Sequence, residues 1–253
     1  MRGRLHLATD ADALARAVAG EFLAYAWEAI RARGRFTVAL AGGDTPRAAY
    51  AQIAATWKEW SEGRLDWGRV HLFWGDERHV PPDDRRSNLR MARESLISRV
   101  PIPRGNVHPV PAALPDPRDA ASHYEGSLRE FFELDARAFP RFDLALLGMG
   151  ADGHTASLFP GAEALEEEHH LAVATEPPGP GAGVGEWRIT LTLPVLNRAA
   201  SVVVLVSGAG KAATLHRALE GPEPTPLLPV QRLNPESGSL VWIVDREAAP
   251  WVR

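Results

Sequence analysis

The run Gly148-Met149-Gly150-Ala151-Asp152-Gly153-His154 sets a carboxylate and an imidazole two residues apart in a glycine-rich turn. Three glycines in six residues let the backbone turn sharply there. The alternation can bring Asp152 against the ring of His154, orienting it and favouring its charged form. Histidine takes or gives a proton near neutral pH. The turn follows the apolar residues 142–147, which read as a buried strand, and strand carboxyl ends are where open α/β sheets bind ligands. Ser157 lies just beyond, but Gly-x-Ser-x-Gly is missing, which disfavours a Ser-His-Asp hydrolase.

Two further polar turns follow apolar strands. Ala41-Gly42-Gly43-Asp44-Thr45-Pro46 precedes a helix opening near Pro46. Its glycines allow close backbone approach and the helix start offers free N–H groups, an anion site. A plain strand-to-helix turn capped by Asp44 or Thr45 fits the spacing equally well. Neither a dinucleotide fingerprint nor a phosphate-binding Gly-Lys loop is present. Trp74-Gly75-Asp76-Glu77-Arg78 follows the strand at 70–74, and Arg78 has the chemistry to bind phosphate or hold a carboxylate. A solvated charged loop explains the same residues, and Ser87-Asn88 reads as a helix cap. Lys58 and Lys211 are the only lysines in the chain. Lys211 follows Ser207-Gly208-Ala209-Gly210 in the first turn of a helix, where a cation opposes the dipole and a bound phosphate would relieve that cost. An ordinary exposed lysine is the competing reading.

Periodicity supplies the elements that must hold these turns. Helices are predicted from Asp10 to Arg33, with Asp10 as N-cap and Gly34 as stop, from Pro46 through about Trp60, from Ser87 through about Ser98, from about Asp119 to Arg137, and from near Gly210. Strands are predicted at 36–41, 70–74, 142–147, 171–175, 201–207 and 240–244. Residues 100–117 contain six prolines and read as a loop, and residues 176–186 as a Pro/Gly-rich mobile one. Strands alternating with helices imply an α/β fold, a doubly wound, mostly parallel sheet with helices on both faces. No linker divides the chain, so residues 1–253 are expected to form one domain.

Composition narrows the chemistry. Of the 253 residues 45% are hydrophobic and 24% charged, ordinary for a globular protein with a sizeable core. A net charge of −4 and no basic block give no footprint for nucleic acid. With no cysteine, disulfides, thiolate metal sites and cysteine nucleophiles are excluded. His169-His170 follows three glutamates and reads as a surface turn, so no metal site is expected. No apolar stretch is long enough to span a membrane and the amino terminus has no apolar signal core, which points to the cytoplasm.

Taken in order, these segments resemble the 6-phosphogluconolactonase family over about residues 36 to 220. The likeness is carried by residues 41–46, by Asp76-Glu77-Arg78 with Val80-Pro81 and Ser87-Asn88, by the long run 147–161, and by Arg188 and Gly210-Lys211-Ala212. It implies a glucosamine-6-phosphate deaminase-like fold. It also implies hydrolysis of 6-phospho-D-glucono-1,5-lactone to 6-phospho-D-gluconate in the oxidative pentose phosphate pathway, with no metal or organic cofactor. By position, His154 would be the general base that activates water, supported by Asp152, with Asp76 in the catalytic set. Gly43, Thr45, Arg188 and Lys211 would surround the substrate phosphate, and Gly42, Arg78 and Asn88 would complete substrate binding. The family usually has serine where this chain has Asp44, and a carboxylate there would repel phosphate, so only backbone contacts are inferred at that position.

The chemistry is coherent without a covalent intermediate, because a lactone carbonyl is already electrophilic. The related deaminases share the Asp76-Glu77 and Asp152-Gly153-His154 pattern but use a glutamate five residues after the histidine, where this chain has Phe159. A deaminase or isomerase is therefore the weaker alternative, and a non-catalytic sugar-phosphate sensor is the other.

Overall fold

Strands that are apolar along their whole length need cover on both faces, which parallel sheets in α/β folds provide. Residues Phe36–Leu40 and Ser201–Val206 are buried at every position and form the middle of such a sheet. A computed structural model describes residues 3–60, 65–176, 186–221 and 228–252. In chain order the strands and α-helices are β1 (Arg4–Ala8), α1 (Ala11–Arg33), β2 (Phe36–Leu40), α2 (Asp44–Trp60), β3 (Val70–Trp74), β4 (Asp76–Arg78), α3 (Asn88–Ser95), α4 (Pro117–Phe132), β5 (Leu144–Gly148), β6 (Ala172–Thr175), β7 (Arg188–Leu191), α5 (Leu193–Asn197), β8 (Ser201–Val206), α6 (Ala212–Leu219) and β9 (Ser239–Asp245).

Six strands make one sheet in the order β1-β9-β8-β5-β2-β3, and every pairing in it is parallel. Phe36 stands opposite Val70 and Val202 opposite Ala145, registers that bring the carboxyl ends of β2, β3, β5 and β8 to one edge. Helix α1 packs on α2 and against β1, β2 and β9. Asp10 accepts the Ala13 N–H at 2.7 Å to start α1, and Gly34 closes it in the left-handed conformation, as its sequence signals predict.

A second sheet was not legible. Strands β4, β7 and β6 pair antiparallel in that order, with Arg78 opposite Arg188 and Val173 opposite Thr190. Strand β4 is only three residues long and entirely polar, so no apolar period marks it. The predicted strand at 171–175 exists but belongs here, and residues 188–191 form a strand of their own. Strand β1 was also missed. It is an edge strand pairing only with β9, and three of its five residues are exposed.

Helix ends shift for local reasons. Helix α2 begins at Asp44, two residues before Pro46. Helix α3 stops at Ser95 and the chain continues as a separate short 3₁₀ turn, Ile97–Arg99. Helix α4 spans Pro117–Phe132, ending where Glu133 takes a left-handed φ of 53°. The Pro/Gly-rich stretch at 176–186 lies, apart from its two end residues, outside the described residues.

Two buried tyrosines finish the strands that lead to the turns. The Tyr50 hydroxyl accepts the Ala41 N–H and donates to the Ala41 carbonyl, both at 2.9 Å, just past β2. The Tyr124 hydroxyl does the same for Trp74 at 2.8 Å, at the end of β3. Burial pushes both phenols up from their ordinary values, so they act as neutral clamps on backbone that the sheet has stopped pairing. Tyr50→Phe leaves a buried N–H and carbonyl unpaired and should cost about 1–3 kcal/mol. Urea unfolding measures this, and an unchanged midpoint would show that the clamp contributes nothing.

Candidate active site

Where the parallel strands end, four turns enclose a cavity of about 280 Å³. Its walls come from the Gly42-Gly43 turn and the start of α2, from β4 and α3, from the turn after β5, and from the segment after β8. Of the residues singled out from sequence, Gly42, Gly43, Asp44, Thr45, Asp76, Arg78, Asn88, His154 and Lys211 line it. Asp152 and Arg188 do not line it; Asp152 is bonded to His154, and Arg188 is the cross-strand neighbour of Arg78.

The turn after β5 presents the histidine. His154 Nδ1 lies 2.6 Å from Asp152 Oδ1, and the same oxygen accepts the His154 backbone N–H at 3.1 Å. Partial burial pushes the Asp152 carboxyl up, but its bonds to His154 outweigh that and hold it below the ordinary carboxylate value. An ionised carboxylate on Nδ1 fixes the proton there and leaves Nε2 as the acceptor. Among the described residues Nε2 has no hydrogen-bond partner. The ring packs against Phe159 with centroids 4.8 Å apart. Gly150 makes the arrangement possible, since a Cβ there would sit 2.2 Å from the imidazole and 2.6 Å from the Asp152 carboxylate.

Further along, Ala156 lines the cavity with a left-handed φ of 48°, a conformation costly for a residue with a Cβ. Its neighbours over-determine it. Thr155 Oγ1 donates to the Gly148 carbonyl at 2.9 Å, Ser157 Oγ donates to Asp76 Oδ2 at 2.7 Å, and the Ser157 N–H reaches Thr190 Oγ1 at 3.3 Å. Ser157 therefore ties the histidine turn to both β4 and β7. Sequence reasoning weighed it only as a nucleophile, and a donor to a residue 81 positions away leaves no local signal.

Strand alternation splits the Asp76-Glu77-Arg78 triplet. Asp76 and Arg78 line the cavity, whereas Glu77 is absent from its lining and is nine-tenths or more buried. Glu77 accepts the N–H groups of Arg78, Asn88 and Leu89 at 2.7–2.8 Å and the Ser87 hydroxyl at 3.2 Å, so it caps α3. Burial pushes its carboxyl up against those donors. Asn88 Nδ2 donates to the Asp76 carbonyl at 2.8 Å, and its side chain occupies the space a Cβ on Gly42 would need, 2.0 Å away. The Asp76 carboxylate thus holds Ser157 while facing the cavity, leaving Oδ1, 3.4 Å from Asn88 Nδ2, the less engaged oxygen.

The cations form two groups. Arg188 stands opposite Arg78 across the β4–β7 ladder, with Nη2 2.8 Å from Glu186. Its Nη1 is buried and has no hydrogen-bond partner among the described residues. Burial, then the Arg78 charge, push its pKa below the ordinary guanidinium value. Lys211 is partly buried at the start of α6 and has no ion pair among the described residues. Burial lowers its pKa and Asp245 opposes that. Asp245, missed from sequence, shapes the preceding turn by accepting the Gly208 N–H at 3.1 Å and the Ser207 hydroxyl at 2.5 Å. The Asp44 side chain is 98% exposed, with Arg47 3.9 Å away, so water screens the charge expected to repel a phosphate. The Arg47 N–H closes the first helical bond onto Gly43, leaving the earlier N–H groups of α2 outside its ladder.

Residues 9–242 match the family described as glucosamine-6-phosphate isomerases/6-phosphogluconolactonase. A 6-phosphogluconolactonase of Synechocystis is 42% identical over 226 residues, covering 89% of this chain and 88% of that protein. The structure of 6-phosphogluconolactonase from Trypanosoma brucei superposes with a TM-score of 0.86 at 28% identity, covering 100% of this chain and 99% of that one. A monomeric glucosamine-6-phosphate deaminase shares the fold, with a TM-score of 0.79 at 18% identity over 98% of this chain and 99% of its own.

Gly150→Ala tests the close approach. The added methyl should push the imidazole off Asp152, so the Nδ1–H signal expected in the wild-type ¹⁵N imidazole spectrum should be lost while far-ultraviolet circular dichroism stays unchanged. A variant that keeps the Nδ1–H signal would show that the ring does not need that space.

Proposed function

The chain belongs to the glucosamine-6-phosphate isomerase/6-phosphogluconolactonase family, and we propose that its cavity hydrolyses 6-phospho-D-glucono-1,5-lactone to 6-phospho-D-gluconate by general-base activation of water. One observation carries the mechanism. Among the described residues His154 Nε2 has no hydrogen-bond partner at the cavity, while Asp152 holds Nδ1 at 2.6 Å.

Nε2 takes a proton from water as the water oxygen bonds to the lactone carbonyl carbon. The ring C–O bond then breaks, and the imidazolium returns the proton to the departing ring oxygen. Asp152 stabilises the imidazolium between the two transfers. The phosphate sits on the Gly43–Thr45 start of α2 with Lys211, a helix N-terminus reinforced by a cation. Arg188 stands beside Arg78 on the neighbouring strand, and the two guanidiniums add positive potential to the same cavity. Binding the phosphate away from the reacting carbon supplies orientation.

Phe159 argues against the deaminase and isomerase alternative. The position where those enzymes carry a glutamate holds an aromatic ring packed on His154. Among the described residues no three His, Asp or Glu side chains cluster to hold a metal ion, and the proposed steps need none. We place this activity in the oxidative pentose phosphate pathway and in the cytoplasm; among the described residues no helix is long and apolar enough to cross a membrane.

The test is the initial rate on freshly made lactone, in excess chelator, with spontaneous hydrolysis subtracted. Wild type should turn over at full rate. His154→Ala should lose about 10²–10⁴-fold while still binding 6-phosphogluconate. A variant within threefold of wild type removes His154 from the role, and product binding with no wild-type turnover makes the protein a sensor. Lys211→Ala should raise KM roughly tenfold or more with little change in kcat, because the phosphate changes little as the lactone opens. An unchanged preference for phosphorylated over unphosphorylated gluconolactone would move the phosphate site elsewhere.

A further inference from the structure

At the other end of the sheet lies a second cavity, of about 530 Å³, sharing no lining residue with the first. It sits where β2, β5 and β8 begin: Thr37 is in β2, while Asp143 and Ala200 immediately precede β5 and β8. At a strand rise of about 3.3 Å per residue, roughly 15 Å of β2 separates it from the Gly42-Gly43 turn.

Its charges do not balance. Arg33, Arg35 and Arg141 line it with one carboxylate, Asp143. That carboxylate is fully engaged. Oδ1 accepts Arg33 Nε at 3.0 Å and Nη2 at 2.6 Å, and Oδ2 accepts the Thr37 N–H at 2.7 Å and hydroxyl at 2.9 Å. Among the described residues Arg141 donates only to the neutral Ser237, to Oγ and to the carbonyl, each at 3.1 Å. Arg35 has no ion pair among the described residues; its guanidinium lies 4.9 Å from the centre of the Phe131 ring and 6.0 Å from that of Phe132. Two guanidiniums without a counter-charge thus face one cavity, in a chain whose formal net charge is −4. Phe132 and Phe139, both half-buried, supply an aromatic wall beside them.

We infer that this cavity binds a phosphate monoester carrying a planar ring, a ligand of mononucleotide type. A guanidinium fork matches phosphate oxygens bidentately. A phosphate monoester, with its second ionisation near pH 6, is close to a dianion at neutrality and matches the two unpaired cations. The aromatic wall takes the ring face, and the volume falls in the range of small-molecule sites. The site is independent of the lactonase reading.

Isothermal titration of AMP into the full chain tests it, with inorganic phosphate as the ring-free probe and Lys211→Ala present to disable phosphate binding at the catalytic cavity. One equivalent of AMP should bind saturably in the Lys211→Ala protein. Adding Arg35→Ala or Arg141→Ala should weaken it roughly tenfold or more, and inorganic phosphate should bind at least tenfold more weakly than AMP. Both arginines are exposed, and the single variants in an otherwise wild-type chain should keep wild-type lactone turnover, which reports that they fold. The inference fails if no saturable binding occurs at millimolar AMP, if Lys211→Ala alone abolishes it, if neither arginine variant weakens it, or if phosphate binds as tightly as AMP.

Discussion

Parallel pairing of β3, β2, β5 and β8 is the constraint from which the site follows. Neighbouring parallel strands run in one direction, so their carboxyl ends share an edge and each connection must leave from it. Four segments far apart in sequence, near residues 42, 76, 150 and 208, therefore meet around one cavity. Each contributes a different chemistry. The first is the start of a helix, the second a carboxylate with a guanidinium, the third an oriented imidazole, the fourth an ammonium. No single turn contains a complete site.

A sheet edge alone would leave these turns loose, because backbone beyond the last ladder bond has no partner. Buried polar side chains take over there. Tyr50 and Tyr124 close the backbone at Ala41 and Trp74, Glu77 gathers the Asn88 and Leu89 N–H groups at the start of α3, and Asp245 gathers the Ser207-Gly208 turn. Groups of this kind cost free energy to bury unless fully bonded, and each is satisfied by the turn it shapes. The small antiparallel sheet belongs to the same system. It sets Arg188 opposite Arg78 and brings Thr190 to the Ser157 N–H, coupling the histidine turn to the cationic side of the cavity.

Electrostatics divide the molecule end to end. At the carboxyl edge, Asp152 is committed to His154, Asp76 to Ser157 and Glu186 to Arg188, while Lys211 has no ion pair among the described residues. At the amino edge, Asp143 is committed to Arg33 and Thr37, which leaves Arg35 and Arg141 without a carboxylate among the described residues. A net charge of −4 conceals both concentrations of positive potential, because net charge reports neither position nor pairing.

The sequence by itself determined the mostly parallel α/β fold, the caps Asp10 and Gly34, the turns that carry the site, and the closeness of Asp152 to His154. These are local: they depend on apolar period, on glycine's freedom, or on residues two positions apart. Tertiary structure alone decided which side chains of a turn reach the cavity. It turned Glu77 away to cap a helix, set Arg188 opposite Arg78 on the neighbouring strand, and recruited Ser157, Thr190 and Asp245. The three polar residues of β4 have no hydrophobic period, and they form a strand only because β7 lies beside them. A hydrogen bond across 81 residues, such as Ser157 to Asp76, exists only after the sheet has brought two turns to one edge, so nothing near either residue could announce it.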